Sequence, residues 1–434
     1  KREVDMPIFN PDVETRERKE LLEFQNERLQ IVVNQAYSHV DFYRKKFDEA
    51  RVNPDDIKNL EDLKRIPFTT RKDLMDNYPY GMFAVPLRDV VRLQFPMGLY
   101  GNPIVIGYTR QDLKIWRELV ARIMVGIGIT EHDIIQVAFN YGLFFGAIRF
   151  NQSAELIGAA VVPTSIASAE VQLRIMQDFR STVLASTPSF ALHIIETMKR
   201  KRIDPQTLSL KIGLLGAEPW SESVRQVIEE NLNIKAYDIY GVMELVEPGV
   251  AGECSARAGL HIFEDHFFAE VIDPRTGQAL SAGREGELVL TTLTTNAYPL
   301  LRYRTSDVTA LHYDRCSCGR TMVRMDRVIK RTDQMVSVRG INVFPEKIEE
   351  VLAGIDGVGP GYSMEVTEKK GLNDRLKVLV EASPEILAAK EEKKIALQEA
   401  VHLALRRAIG LRVEVEIVAK DRGLGGGGRG VEQT

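Results

Sequence analysis

Three observations predict an α/β protein in two parts. Between about residues 90 and 240, short apolar runs (Ile134 to Phe139, Ala159 to Pro163, Ile212 to Leu215) alternate with helical stretches, notably Gln172 to Phe179 and Glu222 to Asn231. That alternation is the pattern of parallel strands covered by helices. From about 260 to 330 the pattern changes to Phe267 to Ile272, a turn at Asp273-Pro274-Arg275-Thr276-Gly277, then Glu287 to Thr292. This reads as an antiparallel hairpin in a β subdomain that closes a large domain over residues 1–330. Residues 331–434 then carry their own helices and strands, which predicts a small α+β domain.

The elements follow in order. Leu29, Val32, Val33, Ala36, Tyr37 and Val40 form the stripe of an amphipathic helix, so the N-terminal region is mostly helical. Thr70 with Asp73 is a capping box in acidic form and opens a helix ahead of Leu74. In the second part, Pro345 opens a helix with Ile348, Val351, Leu352 and Ile355 on one face, and Leu376, Val378 and Val380 alternate as a strand. Leu397, Ala400, Val401, Ala404, Leu405 and Ala408 mark a longer helix stopped by Gly410, and Val413, Val415 and Ile417 mark a further strand. The low-complexity tail Gly423 to Gly430 is expected to be flexible.

The 434 residues include 57 Lys+Arg against 61 Asp+Glu, a formal charge of −4, and 44% are hydrophobic. A chain of this length and apolar content can bury a large core, and its charge balance lacks the basic excess of a nucleic-acid coat. Met198-Lys199-Arg200-Lys201-Arg202 is locally basic and reads as a solvated helix end. No apolar run is long enough to span a membrane, and the first thirty residues are rich in charge where a secretion signal needs an apolar stretch. The expectation is a cytoplasmic protein without nucleic-acid or membrane partners.

Several segments carry groups suited to nucleotide chemistry. Pro96-Met97-Gly98-Leu99-Tyr100-Gly101-Asn102-Pro103 is a glycine-containing turn feeding the strand Val105 to Thr109. Its backbone amides could meet phosphate oxygens, although taken alone the segment reads better as a plain hairpin, having no Lys, Ser or Thr inside the turn. Gly216-Ala217-Glu218-Pro219-Trp220 follows an apolar run, at a strand's carboxyl end, where open α/β sheets place ligands. Asp238-Ile239-Tyr240-Gly241-Val242-Met243-Glu244 offers an aromatic face and a carboxylate suited to magnesium, or to a structural role. Arg302-Tyr303-Arg304-Thr305-Ser306-Asp307 and Arg331-Thr332-Asp333-Gln334 add an acid that can accept two ribose hydroxyls and an arginine that can reach phosphate or ribose.

In that order these segments resemble the adenylate-forming superfamily, and specifically the phenylacetate–coenzyme A ligase family. The resemblance runs from about residue 15 to about 420. It is densest from Thr187-Pro188-Ser189-Phe190 to Val338-Arg339-Gly340-Ile341-Asn342-Val343-Phe344-Pro345, through Glu247-Pro248-Gly249-Val250 and Gly259-Leu260-His261-Ile262-Phe263-Glu264-Asp265-His266-Phe267. It implies an adenylate-forming enzyme fold: a large domain binding ATP and a carboxylic acid, and a small mobile lid that rotates between acyl-adenylate and coenzyme A thioester formation. The implied acid is aryl or arylacetic, as in aromatic acid catabolism, with AMP as a product, Mg2+ as cofactor and a homodimer as the assembly.

By the same resemblance Gly216, Ala217 and Glu218 form the adenine shelf, with Asp238 and Tyr240 completing the purine pocket. Glu244 is the magnesium carboxylate, Asp307 the ribose clamp, Arg331 its partner and Asp333 the hinge. Phe139, Tyr141, Phe144 and Pro248 wall the aryl pocket, with core packing as the alternative for the two phenylalanines. Such chemistry needs the acid held in line with the α-phosphate while cations neutralise the leaving pyrophosphate.

Two stretches depart from the family pattern. The loop keeps Gly98, Gly101 and Pro103 but lacks the hydroxyls and the lysine of similar enzymes. At the C-terminus Gly423-Leu424-Gly425-Gly426-Gly427-Gly428-Arg429-Gly430 stands where a lysine is expected, and no lysine follows Lys420. Arg429 could substitute in charge, though not in geometry. The alternatives are therefore an impaired nucleotide-binding protein of the same fold, or an adenylate-forming enzyme with an amine or phenol acceptor.

The three cysteines are an odd number for disulfides. Cys254, Cys316 and Cys318 with His261 make a Cys3His set suited to structural zinc. His266 or His312 could replace His261, and three unrelated buried thiols are the plain alternative.

Overall fold

The structure, a computed structural model, describes residues 7–95, 104–141, 146–328, 330–333, 335–338, 341–369, 372–419 and 429–433. Among these, the main sheet holds nine strands. Ala160–Val162, Ile134–Val137, Val183–Ser186, Ile212–Gly216 and Lys235–Val242 run parallel, and Val246–Glu253, Leu260–Ile262, Arg324–Met325 and Leu311–His312 continue it antiparallel.

Strand alternation divides the parallel part between two cores. Val183, Ala185, Leu214, Tyr237 and Ile239 face one, while Leu184, Leu215 and Ala236 face the other. Both faces are apolar because helices cover both, so these strands read as continuous hydrophobic runs. Val183–Ser186, fully buried, has no period of its own, and it and Lys235–Val242 are parallel strands that the apolar runs of the sequence do not mark.

The helix Arg18–His39 buries Leu29, Val32, Val33 and Ala36, as its stripe predicts, and Leu21 two turns earlier. Capping boxes start the helices Arg71–Asp76, at Thr70, and Arg110–Gly126, at Thr109. Phe267–Ile272 and Gly286–Thr292 pair as the expected hairpin, joined by Tyr303–Thr309 and Lys330–Arg331 in an antiparallel sheet of four. Residues 260–330 are thus shared between two sheets. Thr69 clips onto this second sheet: its N–H donates to the Arg302 carbonyl (3.0 Å), and its carbonyl accepts from Arg304 N–H (2.9 Å). That clip carries the start of the helix Arg71–Asp76 to the site described below.

From Val336 onward a separate apolar core forms, including Val378, Val380, Leu397, Val401 and Leu405. Its sheet runs Val413–Val418, Leu372–Ala382, Val358–Lys369, Arg429–Gln433, under the helices Pro345–Ala353 and Glu391–Ile409. The second helix ends at Gly410, whose φ of 79° is the left-handed cap expected of it. One expectation is corrected. The tail was read as flexible to Gly430, but Arg429 and Gly430 pair with Tyr362 and Ser363 in a parallel ladder, so strand hydrogen bonds override local composition. Residues 423–428 lie outside the described ones. No helix among the described residues is long and apolar enough to cross a membrane.

Candidate active site

The site forms where the carboxyl ends of the parallel strands meet the second sheet. Gly216 ends its strand against Ile239, and a Cβ there would stand 2.6 Å from the Ile239 carbonyl oxygen. At Gly241 a Cβ would stand 2.6 Å from the Val246 carbonyl oxygen. Both glycines are required by this close approach of backbones. Ala217 then turns the chain off the strand with φ 67°, a left-handed conformation that a non-glycine residue adopts at some cost, as at many binding sites. Glu218 accepts from the Ser189 N–H (3.1 Å) and hydroxyl (2.9 Å), an anion at the amino end of the helix Pro188–Lys201.

Asp307 lies opposite Arg331 in the strand register, and the pairing brings four predicted residues into one chain of contacts. Tyr240 donates to Asp307 Oδ2 (2.5 Å), and Arg331 Nη1 donates to Asp307 Oδ1. Arg331 also forks onto Asp333, Nε to Oδ1 at 2.9 Å and Nη2 to Oδ2 at 2.8 Å. Among the described residues each Asp307 oxygen has one side-chain donor, and since a carboxylate oxygen can accept twice, each keeps capacity for one more. Ser306, with φ 64°, sets the bend that aims Asp307.

Glu244 is 8% exposed and its Oε1 accepts from Arg71 Nη1 at 2.5 Å. The same guanidinium lies 4.0 Å over the ring of Phe344, the residue before the helix Pro345–Ala353. Burial, then the neighbouring Glu244 and Asp307 carboxylates, push the Glu247 carboxyl up to about 8. Burial, then Glu253, push Asp238 up to about 7, although Arg327 Nε stands 3.2 Å away.

Around the expected acyl pocket, Phe139 lies in the main core and stacks on Phe150, centroids 5.2 Å apart. Tyr141 donates to Asn151 Oδ1 (2.6 Å), and the Pro248 carbonyl accepts from the Trp116 indole. Phe144, Gly98 and Gly101 lie outside the described residues. So does the side chain of Arg429, whose backbone opens the strand Arg429–Gln433.

The four sulfur and nitrogen groups expected at a metal do converge. The ligand atoms of Cys254, His261, Cys316 and Cys318 lie within 4.8 Å of one another, and all four residues are buried. Cys254 Sγ is 3.8 Å from Cys316 Sγ, and Cys318 Sγ is 3.5 Å from His261 Nε2. A tetrahedron with metal–sulfur bonds of about 2.3 Å has edges of about 3.8 Å, so the spacing fits a single ion. His261 Nδ1 is 3.3 Å from the Met322 carbonyl, which aims Nε2 inward. The alternative histidines are engaged elsewhere, His266 with Asp265 (3.0 Å) and His312 with Asp326 (2.9 Å).

Arg71 and Glu247 were not singled out from sequence. Arg71 occupies the first position of a capped helix, where a cation carries no signal, and only the Thr69 clip brings it across. Glu247 stands inside the Glu247-Pro248-Gly249-Val250 motif with Glu244 in the turn just before it, and what the motif does not show is that Asp307 approaches from a distant strand.

A strand-end shelf, an acid held between a phenol and a guanidinium on an adjacent sheet, and a small domain following that guanidinium define an adenylate-forming enzyme. The AMP-binding enzyme C-terminal domain family matches residues 340–423. Phenylacetate–coenzyme A ligase of Thermus thermophilus is 45% identical over 87% of this chain and 84% of its own length. The Escherichia coli enzyme of the same name is 41% identical over 94% and 92%. The chain belongs to the phenylacetate–coenzyme A ligase family.

Among solved structures, 2-hydroxyisobutyryl-CoA ligase with 2-HIB-AMP and CoA in the thioesterification state matches at TM-score 0.92 and 27% identity, over 99% of this chain and 93% of that one. The same enzyme in its postadenylation state matches at 0.72, over 97% and 90%. Same partner, same identity and near-equal coverage leave the arrangement of parts as the difference. This chain is therefore described in the arrangement of the first state.

Proposed function

We propose that the protein is an ATP-dependent acid:CoA ligase. A carboxylate oxygen attacks the α-phosphorus of ATP and releases pyrophosphate, and the CoA thiol then displaces AMP from the acyl carbon. The observation that carries this reading is the convergence of Tyr240, Asp307, Arg331 and Glu244 beside the Gly216–Glu218 turn. Asp307 receives the two ribose hydroxyls on its remaining lone pairs. Tyr240 and Arg331 hold its carboxylate in place, and Gly216, Ala217 and Asp238 line the adenine. Glu244 is the carboxylate that would hold Mg2+, and the ion when bound would supply positive charge beside the departing pyrophosphate. Glu218, tied to Ser189, shapes the shelf by fixing the helix behind it.

The acid is aryl or arylacetic, with Tyr141, Pro248 and the Phe139 region near its ring. Residues from about 331 act as the lid, with Asp333 at the hinge, and two chains pair as a homodimer. The Cys3His cluster holds structural Zn2+ through three thiolates and His261, tying the end of one main-sheet strand to the loop carrying Cys316 and Cys318. Pyrophosphate exchange into ATP that depends on phenylacetate, followed by CoA-dependent AMP release, tests the ligase reading. No exchange and no thioester with any aryl or alkyl acid, in folded protein, would end it.

The altered loop and tail favour a further feature: adenylation is the slower half. Without the loop and tail lysines, several charge-assisted hydrogen bonds to phosphate are missing, each worth about 1 to 3 kcal/mol. Thioester formation from supplied acyl-adenylate should outrun exchange.

A further inference from the structure

Glu244 is nearly buried and stands close to Glu247 and Asp307. An anion in such a place needs a cation beside it. During adenylation, on the reading above, that cation is the magnesium that accompanies the phosphates. Once pyrophosphate and its cation have left, Glu244 must find another partner or remain an unpaired buried charge.

The partner present here is Arg71, with Nη1 at 2.5 Å from Glu244 Oε1. Its position is set from two sides. The Thr69 clip fixes its backbone to the second sheet, and the ring of Phe344 lies 4.0 Å beneath its guanidinium. Phe344 belongs to the small domain, since it precedes Pro345–Ala353 and the neighbouring Val343 and Ile348 sit in that domain's core. Arg71, paired with Glu244 in the large domain and stacked on Phe344 of the small one, therefore joins both domains in the arrangement that matches the thioesterification state of a relative.

We propose that Arg71 is a positioning residue that couples lid orientation to whether a cation occupies the Glu244 carboxylate. With the cation gone, Arg71 bridges Glu244 and Phe344 and holds the lid in the orientation for thioester formation. With the cation present, Glu244 is occupied, Arg71 loses its partner, and the Phe344 contact weakens. The planar guanidinium suits this task because it can lie flat on a ring while its edge donates to a carboxylate, a geometry that a point-like ammonium does not reproduce.

The inference rests on the ligase reading, and the test separates the two. Arg71→Ala, Arg71→Lys, Phe344→Ala and Phe344→Leu would be compared with wild type in three measurements. These are pyrophosphate exchange across a Mg2+ titration, thioester formation from synthetic phenylacetyl-adenylate, and lid orientation from the distance between spin labels on Val227→Cys and Leu403→Cys. Both label positions are exposed, at 42% and 49%, whereas the native cysteines are buried.

In Arg71→Ala, the thioester step should lose about tenfold in kcat with KM for the adenylate within about twofold. Half-saturating Mg2+ in exchange should fall severalfold because its competitor is gone, and the label distances should spread from the wild-type value. Phe344→Ala should spread the distances equally while leaving the Mg2+ requirement near wild type. Arg71→Lys should resemble Phe344→Ala, and Phe344→Leu covers failure of the alanine variant to fold. A raised Mg2+ requirement in Arg71→Ala, equal losses in both half-reactions, or unchanged label distances would overturn the proposal. If wild type performs neither half-reaction, the ligase reading fails, and the distances alone still decide whether Arg71 and Phe344 hold the lid.

Discussion

Two polar clusters sit at opposite ends of the strand Val246–Glu253, Glu244 just before it and Cys254 just after. At about 3.3 Å per residue these ends are roughly 26 Å apart, so the two act independently. At the cysteine end, all four donor groups point at one another within 4.8 Å, and the second nitrogen of His261 is spent on the Met322 carbonyl. Arg320 covers Cys318 (3.7 Å) and pairs with Glu14 (2.6 Å), closing the shell with the N-terminal segment. At the other end, Asp307 keeps free lone pairs, and Arg71 and Arg331 remain 32% and 18% exposed. The difference is one of spare hydrogen-bonding capacity: the cysteine cluster is closed on its own members, whereas the Asp307 cluster retains acceptors beside partly exposed cations.

The sharpest way to break this contrast is to empty the closed cluster. Replacing Cys316 and Cys318 together by serine should cost about 3 kcal/mol or more, because metal binding free energy is folding free energy. The expected result is a large fall in Tm, with about one zinc per chain by elemental analysis in wild type and none in the variant. Equal Tm values and no zinc would reduce the cluster to three packed thiols.

The open cluster should behave oppositely, losing activity rather than fold. Asp307→Ala should lower kcat/KM about 100- to 1,000-fold, roughly 3 to 4 kcal/mol of transition-state stabilisation, with Tm within a few degrees of wild type. A somewhat smaller loss, about 100-fold, is expected for pyrophosphate exchange in Glu244→Gln, with a raised Mg2+ requirement. A collapse of Tm in either variant would make the open cluster structural after all.

The smallest effect concerns pH. In the folded, ligand-free protein the carboxyls of Glu247 and Asp238 release their protons only near 8 and near 7, against ordinary values of 4.5 and 3.8. From about pH 4.5 to 8 the folded state therefore holds more protons than the unfolded one, and stability falls as pH rises. Thermal unfolding should show a loss of about 1 to 2 kcal/mol between pH 7 and 8.5, and Glu247→Gln should flatten part of that slope. An equal slope in the variant would remove Glu247 from the account.

Much of this is legible in the sequence. The stripe from Leu29 to Val40, the box at Thr70, the hairpin around Asp273 to Gly277 and the stop at Gly410 are local signals, and each element forms where its signal stands. The strands Val183–Ser186 and Val358–Lys369 were not singled out. The first is buried on both faces and carries no alternation. The second is held by neighbours on both sides, including the tail strand Arg429–Gln433 that composition alone assigned to flexible chain. In the site, motif order brought Tyr240, Asp307, Arg331 and Asp333 to notice, and the strand register places them in contact. Arg71 was silent because its meaning depends on Glu244, 173 residues away.

The sequence by itself determined the kinds of element, their order and the inventory of groups able to meet a nucleotide, because periodicity, caps and turns act within a few residues. Only the tertiary structure decided which of the candidate histidines faces the cysteines, what neutralises Glu244, and that the chain's last strand belongs to a sheet. Those outcomes depend on which distant surfaces share a buried, low-dielectric space, where unpaired charges and unsatisfied backbone groups are costly, and spacing along the chain carries no measure of that.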